Sequence, residues 1–415
     1  MRPGLQPHPN LRKRLVGVSA DKLRRPFYLG VTPDGDKTFM MLPTDISALS
    51  RICLAGPSGA GKSVTTRNIL EELYFEWNYA GEQYRHPVFI YDSKFNYLGL
   101  TKPNTHARDL RLLQTIHNLY HGFSFPSDMV NIYAPAYIAP TYNKEEAQKI
   151  VKANERWQIK DLWGVPWRQI MDLAHLGTVL KVPSETLWAI EMQPSFDRAA
   201  LDPKVTLKDL IGIEGVLVKA AEKIRNPIVK GAARNFVTRW RKNRYWFRQD
   251  DKLAQHLSEP FSINVLTFAL SPNKTYFNQL AFLISLQSLM SSLQNAVFRT
   301  QPVIIIHDIL NFIGEGQPFR SEIMDTLKRM MAGQARSLYH GYIMIIETQD
   351  IGAFPQPFDR PKEWSMVLKY KWQSESPSLR AIDGFLGGVC SYHDNVKNFH
   401  RPTVVIRPPL TSYET

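Results

Sequence analysis

Cysteine is scarce in this chain: 415 residues contain only Cys53 and Cys390. They lie far apart, so they supply neither a disulfide framework nor a zinc-ligand spacing, and a reducing compartment is expected. An uninterrupted apolar run of membrane-spanning length is also missing. The longest candidate, FNQLAFLISLQSLMSSLQNAVF, is broken by Gln287, Ser291 and Gln294 and reads as a buried helix. The opening MRPGLQPHPNLRKR has no apolar core behind its basic residues, so no secretory signal is expected. There is no internal repeat and no low-complexity tract. The expectation is a soluble, cytoplasmic protein.

Acidic residues are in deficit, 38 against 51 Lys and Arg, which gives a formal charge of +13 and favours an anionic partner. The excess is local. Between Lys219 and Arg248 ten basic residues face one acid, Glu222. Within that stretch, RNFVTRWRKNRYWFR interleaves Arg234, Arg239, Arg241, Lys242, Arg244 and Arg248 with Phe236, Trp240, Tyr245, Trp246 and Phe247. Such cations can neutralise phosphates, and aromatics can stack on bases. On a helix, however, Phe236, Trp240 and Phe247 share a stripe, so they are expected in a core, with the charges on an anion-facing surface.

The organisation is α/β. Residues 1–25 read as a flexible basic arm, and 26–104 as the first part of a nucleotide-binding core. Residues 105–250 read as a mainly helical insertion holding six of the nine tryptophans, and 251–415 as the rest of the core with closing strands.

Gly56-Pro57-Ser58-Gly59-Ala60-Gly61-Lys62-Ser63, followed by Val64, fits the phosphate-loop pattern between a short apolar run and a helical one. The glycines let backbone N–H groups curl around phosphates, Lys62 reaches the β- and γ-phosphates, and the Ser63 hydroxyl is placed for Mg2+. ATP with Mg2+ is the expected ligand. A second apolar run, VIIIHDILNF, ends at one acid where two are usual, and two registers are open. Either Asp308 is the carboxylate beside magnesium, with Ile309 replacing a catalytic glutamate, or His307 takes the magnesium side and Asp308 activates water. Glu347, at the tip of IMIIETQD, is a candidate for the missing acid, and Glu315 a weaker one.

Four blocks in order, AGPSGAGKS, IYDSKFNYLGL, VIIIHDILNF and ARSLYHGYIMIIETQD, resemble the HerA/FtsK superfamily of DNA-pumping ATPases. The resemblance covers about 190 residues, including FSINVLTFAL and the long helix before VIIIHDILNF. It implies a RecA-like, additional-strand P-loop NTPase core with a mainly parallel sheet. It also implies Gln349 as a γ-phosphate sensor, Asp92 near the nucleotide, and Arg336 as a residue reaching a neighbour's phosphate, with Arg329 and Arg380 as alternatives. About 50 residues precede the phosphate loop, too few for the barrel of HerA, and no membrane helices stand where FtsK has them. The reduced form resembles viral genome-packaging and mobile-element transfer motors. That implies a ring, with six subunits expected, moving double-stranded DNA. A nuclease, capsid portal or transfer-channel protein would be its partner, and the setting host cytoplasm or virion. Two other readings stay open: an ATP-binding assembly subunit with little hydrolysis, and a small-molecule kinase.

Overall fold

Four short runs, RICLA, VFIYD, VIII and IMIIET, are apolar without alternation, the mark of parallel strands covered on both faces. In the computed structural model they lie side by side at the centre of one sheet. The structure describes residues 24–412 except 44–48, 81–85, 98, 120–122, 139–143, 154–158, 183–185, 251–261, 272–274, 296–300, 318, 335–340, 372–388 and 397. The expected arm, 1–25, lies outside the described residues up to position 23, as do Arg336 and Arg380.

The chain opens with an antiparallel pair, β1 (Arg24–Val31) and β2 (Lys37–Pro43), whose turn contains Gly35 at φ +88°. Then come β3 (Ser50–Ala55), the phosphate loop, helix α1 (Lys62–Ala80) and β4 (Val88–Asp92). Next are α2 (Ala107–Thr115), β5 (Val130–Pro135), α3 (Lys144–Ala153) and β6 (Ile159–Trp163). A helical region follows, entered through β7 (Val165–Pro166). It contains α4 (Leu173–Val179), α5 (Leu187–Leu201), α6 (Leu207–Ile211), α7 (Val216–Glu222) and α8 (Pro227–Lys242), and is closed by β8 (Phe247–Arg248). The core resumes with β9 (Ile263–Thr267), α9 (Thr275–Asn295), β10 (Val303–Ile306), α10 (Leu310–Ile313), α11 (Arg320–Met331) and β11 (Ile343–Thr348). Strands β12 (Met366–Lys371), β13 (Val389–Asp394) and β14 (Phe399–Ile406) end it.

Among the described residues twelve strands form one sheet, ordered β2-β1-β14-β13-β12-β3-β11-β10-β4-β9-β5-β6. Every pair from β12 to β6 is parallel, and the four strands beyond β12 are antiparallel. Strand β11 lies between β3, which carries the phosphate loop, and β10, which carries His307 and Asp308. This is the additional-strand order. Alternation along the strands divides the core. Ile52, Leu54, Ile90, Ile305 and Ile345 face α1, whereas Cys53, Tyr91, Ile304, Ile306 and Ile346 face α9, α11 and the helical region.

The expected insertion, 105–250, needs correction. Its first part supplies β5 and β6, which extend the parallel sheet, and only the part beyond Trp167 is mainly helical. Polar residues interrupt both strands, so neither shows an apolar run. Asn131 donates to Asn264 Oδ1 across the strands at 2.9 Å and accepts from Lys160 Nζ, a polar ladder in place of an apolar run. In the helical region, α8 starts at Asn226, whose side chain accepts from the N–H groups of Ile228 and Val229, with Pro227 in the first turn. It buries Val229, Ala233, Phe236, Val237 and Trp240, spaced for one helical face. Trp188 packs on Phe236 with ring centroids 4.3 Å apart, and Trp240 lies 5.5 Å from Phe247. The aromatic stripe is core. No helix among the described residues is long and apolar enough to cross a membrane.

Candidate nucleotide site

The phosphate loop joins the end of β3 to the start of α1, so the positive end of a 19-residue helix points at whatever the loop holds. Three loop glycines have positive φ: Gly56 at 151°, Gly59 at 77° and Gly61 at 97°. Gly56 is the most constrained, because a Cβ there would sit 2.7 Å from Tyr370 Cβ and 2.9 Å from the Tyr370 carbonyl oxygen on β12. Ser58 and Gly59 crest the loop in solvent, Ala60 is buried, and Val64 packs on the core beneath. Lys62 is buried, with Nζ donating to the carbonyls of Gly56 (2.7 Å) and Pro57 (2.8 Å). Burial holds its ammonium below the usual lysine range. Glu347 and Asp308 pull it back up, and Lys94 pushes it further down.

Glu347 is the acid next to Ser63. It lies on β11, opposite Leu54 of β3, and is wholly buried. Its Oε2 accepts from Ser63 Oγ at 2.8 Å, and its Oε1 accepts from Thr66 Oγ1 at 2.7 Å and Tyr97 OH at 2.6 Å. His307 follows β10 with Nε2 3.7 Å from the same Oε2. Burial and the adjacent Glu347 carboxylate raise the Tyr97 phenol well above its ordinary value, so it remains a donor. Thr348, on the opposite face, turns its hydroxyl to the Asp350 carbonyl.

Asp92 ends β4 and organises the next turn. Its Oδ1 accepts the N–H groups of Lys94 (3.0 Å) and Asn96 (3.3 Å), while its buried Oδ2 has no partner among the described residues. Burial raises its pKa, opposed by His307 and by those two N–H groups. The turn, with Phe95 at φ 56°, delivers Lys94 and Asn96 to the site. The Asn96 amide contacts both Ser63 Oγ (3.1 Å) and His307 Nε2. Ser93 Oγ pairs with His307 Nδ1 at 3.0 Å. Asp308 adopts a left-handed backbone, φ 47°, which costs a non-glycine residue about 1 kcal/mol and turns its side chain away from the strand line. Its Oδ2 meets Lys94 Nζ at 2.5 Å, and its buried Oδ1 has no partner among the described residues.

The Ser63 hydroxyl bonds Glu347 and Asn96, and Asp308 bonds Lys94. Gln349 is exposed just beyond β11, and Glu315 is exposed after α10. Arg329 is exposed, its Nε donating to Gln334 Oε1. Lys94, Asn96, Tyr97 and Thr66 were missed as site residues. Three of them lie in DSKFNY, whose polar residues after a strand-ending aspartate were the available signal.

The basic segment divides in two. Arg239 donates to the Leu180 carbonyl, Arg241 to the carbonyls of Ile211 and Gly212, and Arg248 to those of Tyr245 and Phe247. These three are half-buried and brace helix ends and turns, so their expected place on an open anion-facing surface needs correction. Arg234, Lys242 and Arg244 are exposed, Arg234 paired with Glu222 and Arg244 over the Tyr245 ring.

No protein-family model and no curated protein matches this sequence. Among solved structures, the fold is similar to VirB4 of Thermoanaerobacter pseudethanolicus, with a TM-score of 0.48 and 12% identity, covering 92% of this chain and 96% of that one. It is also similar to the bacterial conjugative coupling protein TrwBdeltaN70 in complex with sulphate (TM-score 0.39, 13% identity, 96% of this chain and 93% of that one). A third is the plasmid coupling protein TrwB in complex with the ATP analogue ADPNP (TM-score 0.39, 12% identity, 96% of both chains). At such identities and scores, the reading of the site rests on its own residues. By strand order and by the placement of its phosphate loop, the chain has the α/β fold of the RecA-like, additional-strand P-loop NTPases.

Proposed function

We propose that the chain binds ATP with Mg2+ and hydrolyses it to move double-stranded DNA through a ring of its own copies, six being expected. The observation that carries the nucleotide half is the phosphate loop whose Ser63 hydroxyl meets the buried Glu347 carboxylate. Magnesium takes one or two protein oxygens and completes its shell with phosphate and water. Ser63 and Glu347, with the unpartnered Asp92 Oδ2 nearby, fit that demand, and the ion would neutralise β- and γ-phosphate oxygens there. Lys62 moves from the loop carbonyls to the phosphates. Asp308 orients a water whose oxygen bonds the γ-phosphorus as the bond to the bridging oxygen breaks, its electron pair leaving with ADP. The water's proton passes to the Asp308 carboxylate. Most of the acceleration comes from positioning and charge neutralisation. Gln349 reports the γ-phosphate, and Arg336 reaches a neighbouring subunit's site.

The DNA half is supported by the sequence resemblance and by exposed positive charge at Lys219, Lys223, Arg225, Arg234, Lys242 and Arg244. A portal, a nuclease or a transfer channel would receive the DNA. Two observations favour a second reading, an assembly subunit that binds ATP and scarcely turns it over: His307 shares the Asn96 amide with Ser63, and Asp308 is tied to Lys94. Measuring ATP turnover with and without duplex DNA, in the native chain and Lys62→Ala, separates the two. The motor requires DNA-stimulated turnover that Lys62→Ala abolishes. Near-zero turnover, insensitive to both, would leave the assembly subunit.

A further inference from the structure

Within the nucleotide site proposed above, on which this inference rests, we propose that Lys94 is the subunit's own cation for the γ-phosphate. Its ammonium is held by Asp308 and released to the nucleotide when a triphosphate binds. Three observations converge on it. First, the turn carrying Lys94 is built by Asp92, whose Oδ1 fixes the Lys94 N–H, so the side chain enters from a braced backbone. Second, Lys94 Nζ lies 2.5 Å from Asp308 Oδ2, and Lys94, Asp308 and Glu347 all lie close enough to Lys62 to act on its ammonium. Third, the lysine side chain is 42% exposed while that of Asp308 is 6% exposed, so the cation can swing while the acid stays.

The ammonium reaches solvent at its end of the pair, so it can leave Asp308 without being desolvated. Opposite a γ-phosphate it meets a stronger anion. Its departure leaves the Asp308 carboxylate free to accept a proton from water. When that water's oxygen bonds the γ-phosphorus and the bridging bond breaks toward ADP, Lys94 faces the charge on the phosphoryl oxygens throughout. The competing account is a structural ion pair that holds the β10 end against the turn. It predicts equal effects on every nucleotide.

The test is equilibrium titration of the full chain, with Mg2+, by ADP and by a non-hydrolysable ATP analogue. Lys94→Met is expected to leave ADP affinity within about two-fold and to weaken the analogue by about ten- to a hundred-fold, the range of one charge-assisted hydrogen bond. Lys94→Arg should recover most of that loss. Asp308→Asn, which frees the lysine, should shift preference several-fold toward the analogue, and this arm stands if Lys94→Met fails to fold. Equal losses for both nucleotides, or no loss, would overturn the assignment. If the native chain binds neither nucleotide, the nucleotide reading itself falls and Lys94 with it. If it binds both and the variants do not discriminate, only the role of Lys94 falls.

Discussion

Replacing Glu347 by glutamine separates what the buried acid does for the fold from what it does for the ligand. In the fold the carboxylate accepts three hydroxyl donors within 2.8 Å. Each hydrogen bond to a charged acceptor contributes about 1 kcal/mol more than its neutral counterpart, so the amide forfeits about 3 kcal/mol. Burying a charge costs several kcal/mol, and the amide recovers much of that. The two terms nearly cancel, and Glu347→Gln is expected to melt within a few degrees of the native chain. The ligand feels no such cancellation. At about 6 Å and an effective dielectric constant of about 20, one carboxylate repels one phosphate charge by about 3 kcal/mol, and a divalent cation between them reverses the sign. Glu347→Gln should therefore tighten ADP binding in EDTA and weaken it in Mg2+. Titration of a fluorescent ADP under both conditions reads the ratio of dissociation constants, which should fall by about ten- to a hundred-fold. An unchanged ratio in Glu347→Gln, with a collapsed ratio in Asp308→Asn, would refute the placement of the metal beside Glu347.

Gly56→Ala and Gly59→Ala both force alanine to positive φ, but only the first drives a Cβ into Tyr370; expected losses are about 2–5 and about 1 kcal/mol, read by urea unfolding. Burial, with Arg407 and Lys37 adding to it, lowers His117 from 6.5 to about 3, and its Nδ1 pairs with Tyr28 OH at 2.7 Å. The unfolded chain binds that proton first, so the stability is present above pH 6.5 and is lost as pH falls toward 3. At pH 4.5 the loss is about 2–3 kcal/mol, and it should shrink in His117→Phe when unfolding is followed against pH. Arg407→Met strips the ion-pair partner from buried Glu71, which also accepts the N–H groups of Leu410 and Thr411. It should destabilise by about 3–5 kcal/mol in the same urea assay, whereas a loss under 1 kcal/mol would mean the pair holds nothing.

The phosphate loop was readable in the sequence because its chemistry is local: eight consecutive residues supply the turn, the lysine and the hydroxyl. The strand order came with the resemblance, whose additional-strand core sets IMIIET between the phosphate-loop strand and VIII. Glu347 could be named from its place at the tip of IMIIETQD, but its contact with Ser63 could not, because that depends on β11 lying beside β3 with Glu347 opposite Leu54, a pairing made across almost 300 residues. Asp308 looked decisive from its place after VIII, yet a left-handed backbone at that residue turned it toward Lys94. Charge counts treated the arginines of α8 alike. Arg239 and Arg241 are consumed by carbonyls from distant helix ends, and only the folded arrangement of α4 to α8 reveals those acceptors. The strands Val130–Pro135 and Ile159–Trp163 were hidden because polar residues, Asn131 in the first and Lys160 and Asp161 in the second, interrupt the apolar runs that announce a strand.

In the proposed motor, triphosphate chemistry at the Gly56–Ser63 loop is coupled to a polyanion. Steady-state ATP hydrolysis, measured with Mg2+ as duplex DNA is titrated in, tests it most directly. The account predicts turnover that rises with DNA, falls with added salt, and vanishes in Lys62→Ala. Turnover that ignores DNA at every salt concentration, or that survives in Lys62→Ala, would contradict it.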